Sequence, residues 1–528
     1  MKSRTAPIKA KPSRSWLDDA QTLYASAHLT QAAAVLDEAI EQGRKPPDAA
    51  LILRARLHLR SGASDAVAFL TEFIPRLESD LGRARATVLL GAAHARVGDY
   101  RSAKASFERA SQLASGKSVH NELLRLELAY HTAATFWMQR KLDEAEAALK
   151  PVLKTPGSDL YVEALILRGA IYAARERYET QAGVLLEALR AETSSSRPNV
   201  YRWAHVAAQI SYLSRELSNQ SIRETSAEQV ERIPWTDDLA DVQFNMLKAV
   251  GWRRALEGDY LNAFRYLKRA AACAPTVPWR VMASCDRAYL AASLGEPRWA
   301  EQEVSEAAEL AKTVEWRAIA GEERVALLLL AELYAPLDGA LAMSYVARFQ
   351  ETGDRYSATL SFNADRRVDA MVAYSLGYVQ QHLGDSSEAE ASFREAFRIH
   401  DAIGYDWRAA RTAIGLWRVT KDASWLSIAE TKLQPYPQSW LATQLRVVNG
   451  SISAPRSDQP RKPAQLAADV LTPAQREVYE LLLTGKPTRE IAAELGRSEF
   501  TVRNHIKVIF KKLKVNSRSA LLSNTFRG

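Results

Sequence analysis

Apolar positions recur with a helical period along most of the chain, and the pattern itself repeats. The clearest copies are Leu90–Ala110, Gly251–Pro275 and Leu376–Ala396. In each, a glycine (Gly91, Gly251, Gly377) is followed seven residues later by a Gly-Asp pair (Gly98-Asp99, Gly258-Asp259, Gly384-Asp385). Five residues after the turn glycine comes Ala103, Ala263 or Ala389; four further on comes Phe107, Leu267 or Phe393; three further on comes Ala110, Ala270 or Ala396. Steps of four and three put these three side chains on one stripe of a helix. Gly-Asp ends the preceding helix, because glycine adopts the positive φ of a helix terminus without a Cβ clash. The small residues let two helices approach closely, so the repeating unit is a helical hairpin. Weaker copies centre on Ala32, Ala66, Ala145, Gln181, Ala300 and Ala340, with room for a degenerate unit around Trp203–Glu231. The pattern predicts about ten or eleven hairpins over residues 16–447.

This unit resembles the tetratricopeptide repeat. The resemblance implies an all-α superhelix over residues 16–449 whose concave face takes a peptide, a partner protein or a small ligand. Composition agrees with the helical reading: 23 glycines and 20 prolines in 528 residues fall short of the roughly 12% average, too few turn formers for a barrel or sandwich. Trp203, Trp252, Trp299 and Trp316 are read as hairpin core rather than ligand cages.

The pattern changes near the C-terminus. Residues 450–470 hold three prolines with serine and glycine before them, a linker composition. Thr472-Pro473-Ala474-Gln475 then reads as a capping box with proline at the first helical position. It opens a helix with an apolar face of Val478, Leu481 and Leu482, closed by Gly485. A second, short helix from about Thr488 to Leu495 turns Ile491, Ala492 and Leu495 inward. After Gly496-Arg497, Ser498 caps a third helix, whose stripe is Val502, Ile506, Ile509 and Leu513. Its other side carries Glu499, Arg503, Asn504, Lys507, Lys511 and Lys514. A fourth helix is expected from near Ser517, including Ala520, Leu521 and Leu522.

A short helix, a glycine turn and a basic amphipathic helix make a helix-turn-helix. Residues 471–528 resemble the LuxR/GerE-type DNA-binding domain through Leu471-Thr472, Glu477-Val478, Leu482, Gly485, Glu490-Ile491-Ala492, Leu495, Ser498-Glu499, Thr501-Val502, His505, Lys512-Leu513, Val515 and Arg518. The resemblance implies that the third helix enters the major groove, with Arg503, Asn504 and Lys507 reading bases and Thr501 and His505 positioning the backbone. It also implies that Leu521 and Leu522 pair two domains, so that the protein binds duplex DNA as a homodimer. The residue types agree: arginine suits guanine and asparagine suits adenine by two-point hydrogen bonding, and Lys511 and Lys514 suit phosphates. The sequence departs from the family pattern at Ala474-Gln475, Pro487, Arg497 and Lys514. The combination with a repeat body resembles the large MalT-like regulators without their nucleotide-binding module.

Charge is distributed accordingly. The chain is +8 overall, yet residues 471–528 alone carry eleven basic and five acidic residues. Residues 1–14, within a basic N-terminal segment ending at residue 15, hold five basic residues and no acid, which leaves the repeat body mildly acidic. A basic end on an acidic body is the footprint of a nucleic-acid reader. Nothing reads as an enzyme. Ser115-Gly116-Lys117-Ser118 has the tail of a phosphate-binding loop, but Ser111 stands where the first glycine is required. The nine histidines are scattered, and Cys273 and Cys285 fit no metal spacing. No metal or cofactor is expected. No apolar run reaches the ~18 residues of a membrane span, and no apolar segment follows the basic N-terminus, so a cytoplasmic location is expected. The reading is therefore a transcription regulator whose repeat body senses a ligand or docks a partner. The alternative is an interaction scaffold or anti-regulator whose basic end binds protein, and salt-dependent binding to duplex DNA separates the two.

Overall fold

Helices joined by short turns make up the computed structural model, which describes residues 16–41, 47–114, 122–319, 321–355, 366–450, 471–483 and 486–512, with no strand among them. The fold is all-α. The chain divides into two compact units, one formed by residues up to Ala207 with Arg232–Leu239, the other by Ala208–Glu231 with Ala240 onward.

In the first unit the helices are α1 (Trp16–Ala25), α2 (Leu29–Glu41), α3 (Asp48–Ser61), α4 (Ala63–Phe73), α5 (Asp80–Arg96), α6 (Tyr100–Ala114), α7 (Glu122–Met138), α8 (Leu142–Leu153), α9 (Tyr161–Ala174) and α10 (Tyr178–Thr193). The division between units falls inside α11 (Val200–Glu216). The second unit continues with α12 (Gln220–Arg232), α13 (Ala240–Leu256), α14 (Tyr260–Ala272), α15 (Val277–Ser293), α16 (Pro297–Lys312), α17 (Val325–Tyr334), α18 (Gly339–Arg355), α19 (Arg366–Leu383), α20 (Ser386–Ala402), α21 (Asp406–Thr420), α22 (Ser424–Leu433) and α23 (Trp440–Val448). Each odd-numbered helix from α1 to α9 and from α13 to α21 packs on its successor. Ser214 and Ser226 join α11 to α12 through a buried hydroxyl pair at 3.1 Å.

The turns work as their residues require. Gly98, Gly258 and Gly384 have φ of +84°, +78° and +87°. Asp99 and Asp259 follow as caps, accepting from the amides of Ser102 (3.0 Å) and Asn262 (3.3 Å). The close approach is equally direct. A Cβ on Gly91 would lie 2.5 Å from the Phe107 ring, one on Gly251 3.1 Å from Leu267, and one on Gly377 3.0 Å from Phe393. The weaker copies turn in the same way with other residues: Ala27, Arg140 and Glu176 adopt φ near +60°, conformations that side chains ordinarily avoid.

The buried stripe runs through every copy. Ala32, Leu36 and Ala39; Ala145, Leu149 and Val152; and Gln181, Leu185 and Ala188 repeat the spacing of Ala263, Leu267 and Ala270. The degenerate unit is α11–α12, whose stripe is Ile222, Ser226 and Gln229. One register differs from the sequence reading. Ala340 is exposed, and the buried stripe of α18 is Ala342, Val346 and Phe349. Asp338 is the cap there, accepting from the Leu341 amide at 3.0 Å, so the inward position falls four residues after it. Trp252 and Trp316 are core at 8% and 4% exposure, whereas Trp203 and Trp299 are half-buried.

The second unit closes on itself in a way simple stacking does not produce. Glu216, fully buried at the end of α11, accepts from Arg408 at 2.8 Å on both oxygens and from the Trp407 indole at 3.0 Å, both on α21. Arg215 adds a bond at 2.7 Å. Farther along, the turn before α23 reaches back to the α13–α14 hairpin: the Tyr260 hydroxyl donates to the Gln438 carbonyl at 3.0 Å. A Cβ on Gly258 would meet Gln438 at 2.8 Å, so this glycine serves both the turn and the contact. Trp440 then packs among Trp252, Tyr289 and Trp407, with ring centroids at 5.5, 6.5 and 6.2 Å. The sequence carries no sign of either closure, since the partners lie about 180–190 residues apart. Among the described residues no helix is long and apolar enough to cross a membrane. The sequence-expected linker falls almost wholly outside the described residues, as do residues 1–15 and Ser115–Ser118.

Candidate nucleic-acid interface

Three helices follow: α24 (Pro473–Leu483), α25 (Thr488–Glu494) and α26 (Glu499–Lys512). The capping box forms as read. The Thr472 amide donates to Gln475 Oε1 at 3.2 Å, and the Gln475 amide donates to Thr472 Oγ1 at 3.4 Å. Gly496 turns the chain at φ +60°, and Ser498 Oγ accepts from the Thr501 amide at 3.1 Å, capping α26.

These helices share a core of Leu471, Val478, Tyr479, Leu482, Ile491, Ala492, Val502 and Ile509, with Leu481, Leu495 and Ile506 partly buried against it. Leu471 and Tyr479 are the members that the sequence reading did not place in the core. Two polar ties hold the helices together. Arg497, one of the departures from the family pattern, reaches back to α24, donating to the Ala474 carbonyl (3.3 Å) and pairing with Glu477 (2.8 Å). Lys512 Nζ donates to Gln475 Oε1 at 2.9 Å, which fastens the end of α26 to the cap of α24. Pro487 gives α25 no side-chain cap.

With Val502 and Ile509 inward, the opposite side of α26 is free. Thr501, Arg503, Asn504, Lys507 and Lys511 are exposed, and His505 is half-buried. Of the sequence-selected residues, Thr501, Arg503, Asn504, Lys507 and Lys511 thereby share the exposed side of one helix, with His505 at its edge. Arg503 is paired with Glu499, one turn earlier, at 3.1 Å; an exposed pair of this kind is worth only a few tenths of a kcal/mol, so it orients the guanidinium without locking it. Thr501 Oγ1 shares a hydrogen bond with Ser498 Oγ at 2.8 Å. Phe500 was not singled out from the sequence, yet it is 74% exposed and lies three, four and seven residues before Arg503, Asn504 and Lys507. The signal was available: an aromatic outside the i, i+4, i+7 stripe of a short helix has nowhere to go but outward. Lys514, Leu513, Leu521, Leu522, Gly485 and the expected fourth helix lie outside the described residues. Among the described residues no group of histidine, cysteine or carboxylate side chains could hold a metal ion.

Residues 469–524 match the family model of "Bacterial regulatory proteins, luxR family". Over 58 residues, 11% of this chain and 78% of the relative, the chain is 50% identical to spore germination protein GerE of Bacillus subtilis. The chain belongs to the luxR family of bacterial regulatory proteins. Other relatives are matched over less of their length. Transcriptional regulatory protein DesR of Bacillus subtilis is 41% identical over 16% of this chain and 43% of its own. Nitrate/nitrite response regulator protein NarL of Escherichia coli is 42% identical over 9% and 22%. A solved Rap protein, crystallised with competence and sporulation factor, covers 79% of this chain and 98% of its own at 13% identity and a TM-score of 0.35, so the repeat architecture rests on the hairpins themselves. For this luxR-family chain, the C-terminal helix-turn-helix carries DNA-binding transcription regulation.

Proposed function

We propose that this luxR-family regulator reads promoter DNA with α26 in the major groove, and that its hairpin body senses a ligand or docks a protein partner that sets its DNA-competent population. The observation that carries the reading is the outward side of α26. Arg503, Asn504 and Lys507 stand exposed on it while Val502 and Ile509 anchor the helix from behind. Arg503 would read guanine, Asn504 adenine, and Phe500 offers an apolar surface to a thymine methyl. Thr501, His505, Lys511 and Lys514 would hold phosphates. Leu521 and Leu522 would pair two copies on a split site.

Titrating the full chain with duplex promoter fragments at several salt concentrations tests this. Log K should fall by about 0.9 per phosphate contact per decade of salt. Absence of binding to any fragment at low salt would end the proposal. Two variants divide the roles. Arg503→Ala should weaken the best site by about 1–3 kcal/mol and relax preference at one base position. Lys511→Ala should weaken all sequences evenly and flatten the salt slope. An even loss for Arg503→Ala across sequences would remove its base-reading role.

A further inference from the structure

Beneath the turn that precedes α23, Arg253, buried, and Arg223, half-buried, both approach Tyr436 with guanidinium donors left unpaired. Arg253, on α13, is 3% exposed; its Nε donates to Glu257 at 2.9 Å, but Nη1 and Nη2 make no hydrogen bond. Arg223, on α12, leaves Nε and Nη2 buried and unpaired. Both guanidiniums face the ring of Tyr436, at 5.3 and 5.5 Å from its centroid. The buried Trp440 indole N–H lacks a partner as well, and the Tyr436 hydroxyl lies against the Arg253 guanidinium. Burial, and then the Arg223 charge, push the Arg253 pKa below its ordinary value.

The neighbouring buried acids are already engaged. Glu216 serves Arg215, Arg408 and Trp407. Asp286 serves Trp252 (2.8 Å) and Lys248 (3.3 Å). Glu332 accepts from Ser375 at 2.7 Å and from Arg411 at 2.5 Å. A buried cation and a half-buried one, each with unpaired buried donors, are an expensive arrangement for a fold to keep. The unpaired atoms are also of a particular kind. Nε with Nη2 of Arg223 is the side-on fork of a guanidinium, and Nη1 with Nη2 of Arg253 is the end-on fork; each matches two oxygens of one anion. Tyr436 adds a hydroxyl beside the Arg253 fork.

We propose that Arg223, Arg253 and Tyr436 form a binding site for an oxyanion, the carboxylate or phosphate group of a ligand of the repeat body. The site deepens the sensing role proposed above and rests on it. In this structure the forks are closed over by the turn from Gln434 to Ser439, so the anion enters as that turn lifts from Tyr260 and Gly258. Because the same turn leads directly into α23, binding is felt at the helix that precedes the DNA-reading domain in the chain.

The test is thermal melting of the full chain in sodium phosphate and in sodium succinate, each against sodium chloride at equal ionic strength and pH. A dose-dependent rise in Tm is expected; a rise with phosphate alone assigns a phosphate ligand, and with succinate alone a carboxylate. Arg223→Met should melt at or above the parent temperature without anion, since it removes two buried, unpaired donors, and should lose the anion response. Arg253→Gln, which keeps polarity but not the fork, should lose it too. If neither anion raised Tm beyond the chloride control, or if both variants responded like the parent, the site would be disproved. DNA affinity of the full chain, measured with and without the effective anion at fixed ionic strength, separates the two ideas. A Tm rise with unchanged DNA affinity keeps the site and removes the sensing role.

Discussion

Glu216→Gln should lower the stability of the second unit by about 3–5 kcal/mol, the range for breaking a fully buried ion pair from one side. The carboxylate is 0% exposed and receives bonds from Arg215, Arg408 and Trp407. A glutamine offers one acceptor oxygen in place of two charged ones, and its own N–H groups face other donors. Both arginines then stay buried without compensation. The pH dependence carries the same signature. Burial raises the Glu216 pKa, but Arg215 and Arg408 outweigh it and hold the carboxyl at about 2. A depressed carboxylate contributes stability that is fully present above its unfolded value near 4.3 and is lost as pH falls toward the folded one. The gap between parent and Glu216→Gln in urea midpoint should therefore stay constant from pH 7 to about 5 and narrow below that. His400, whose pKa burial and Arg408 push down to about 3, contributes a separate loss that begins below its unfolded value near 6.5. Glu216 opposes that shift, so the comparison is made in a His400→Asn background, where this loss is absent from both proteins. A gap that did not narrow in acid would mean the charge of Glu216 contributes nothing.

Phe393→Ala should destabilise by about 3–5 kcal/mol, the range for truncating a fully buried aromatic. Phe393 is 0% exposed on α20 and is wedged between two glycines. A Cβ on Gly377 of α19 would lie 3.0 Å from its ring, and one on Gly415 of α21 2.9 Å from it. No neighbouring side chain stands where the ring was, so the void persists. Gly377→Ala should also destabilise, because the ring cannot retreat from α19 without striking α21. Combining Gly377→Ala with Phe393→Leu should cost less than the sum of the two singles. Denaturant unfolding of the four proteins measures this; strict additivity would mean that the ring and the glycines do not meet.

That pair also shows how far the sequence could be read. Glycine, the Gly-Asp turn, alanine and phenylalanine at fixed spacing identify a hairpin because each meets its partner within about 16 residues, inside one local motif. The same logic located α24, α25 and α26, where caps and stripes are again local. It failed by two residues at Ala340. Leu337-Asp338 turns the chain without the usual glycine, and Gly339-Ala340 imitates a repeat start two residues too early. It was weak at Ala27, Arg140 and Glu176, which take the left-handed conformation that glycine normally marks. It could not reach Glu216 or the arginines under Tyr436. Their meaning depends on partners far away in the chain, and no periodicity records which distant helices meet. In the C-terminal domain it placed Arg503, Lys507 and Lys511 on the outward side of α26, where they are exposed, but looked past Phe500, because charge is expected outward and apolar residues only inward.

The return of Trp440 to the α13–α14 hairpin bears on how the molecule assembles. Most hairpins bury their stripes against the next one or two helices, so they can form in chain order as each segment becomes available, with little loop-closure entropy and at high speed. The second unit is different. Trp252 and Tyr260 wait for partners that are synthesised some 180 residues later, which at ribosomal rates of roughly 5–20 residues per second is on the order of ten seconds or more. During that interval the aromatic surface of α13 and α15 is uncovered, and the nascent chain is at its most open to aggregation or to capture by a chaperone. Closure then comes only after α23 has been made, with the DNA-reading helices next in line. The C-terminal helices are therefore synthesised directly after the segment that completes this contact.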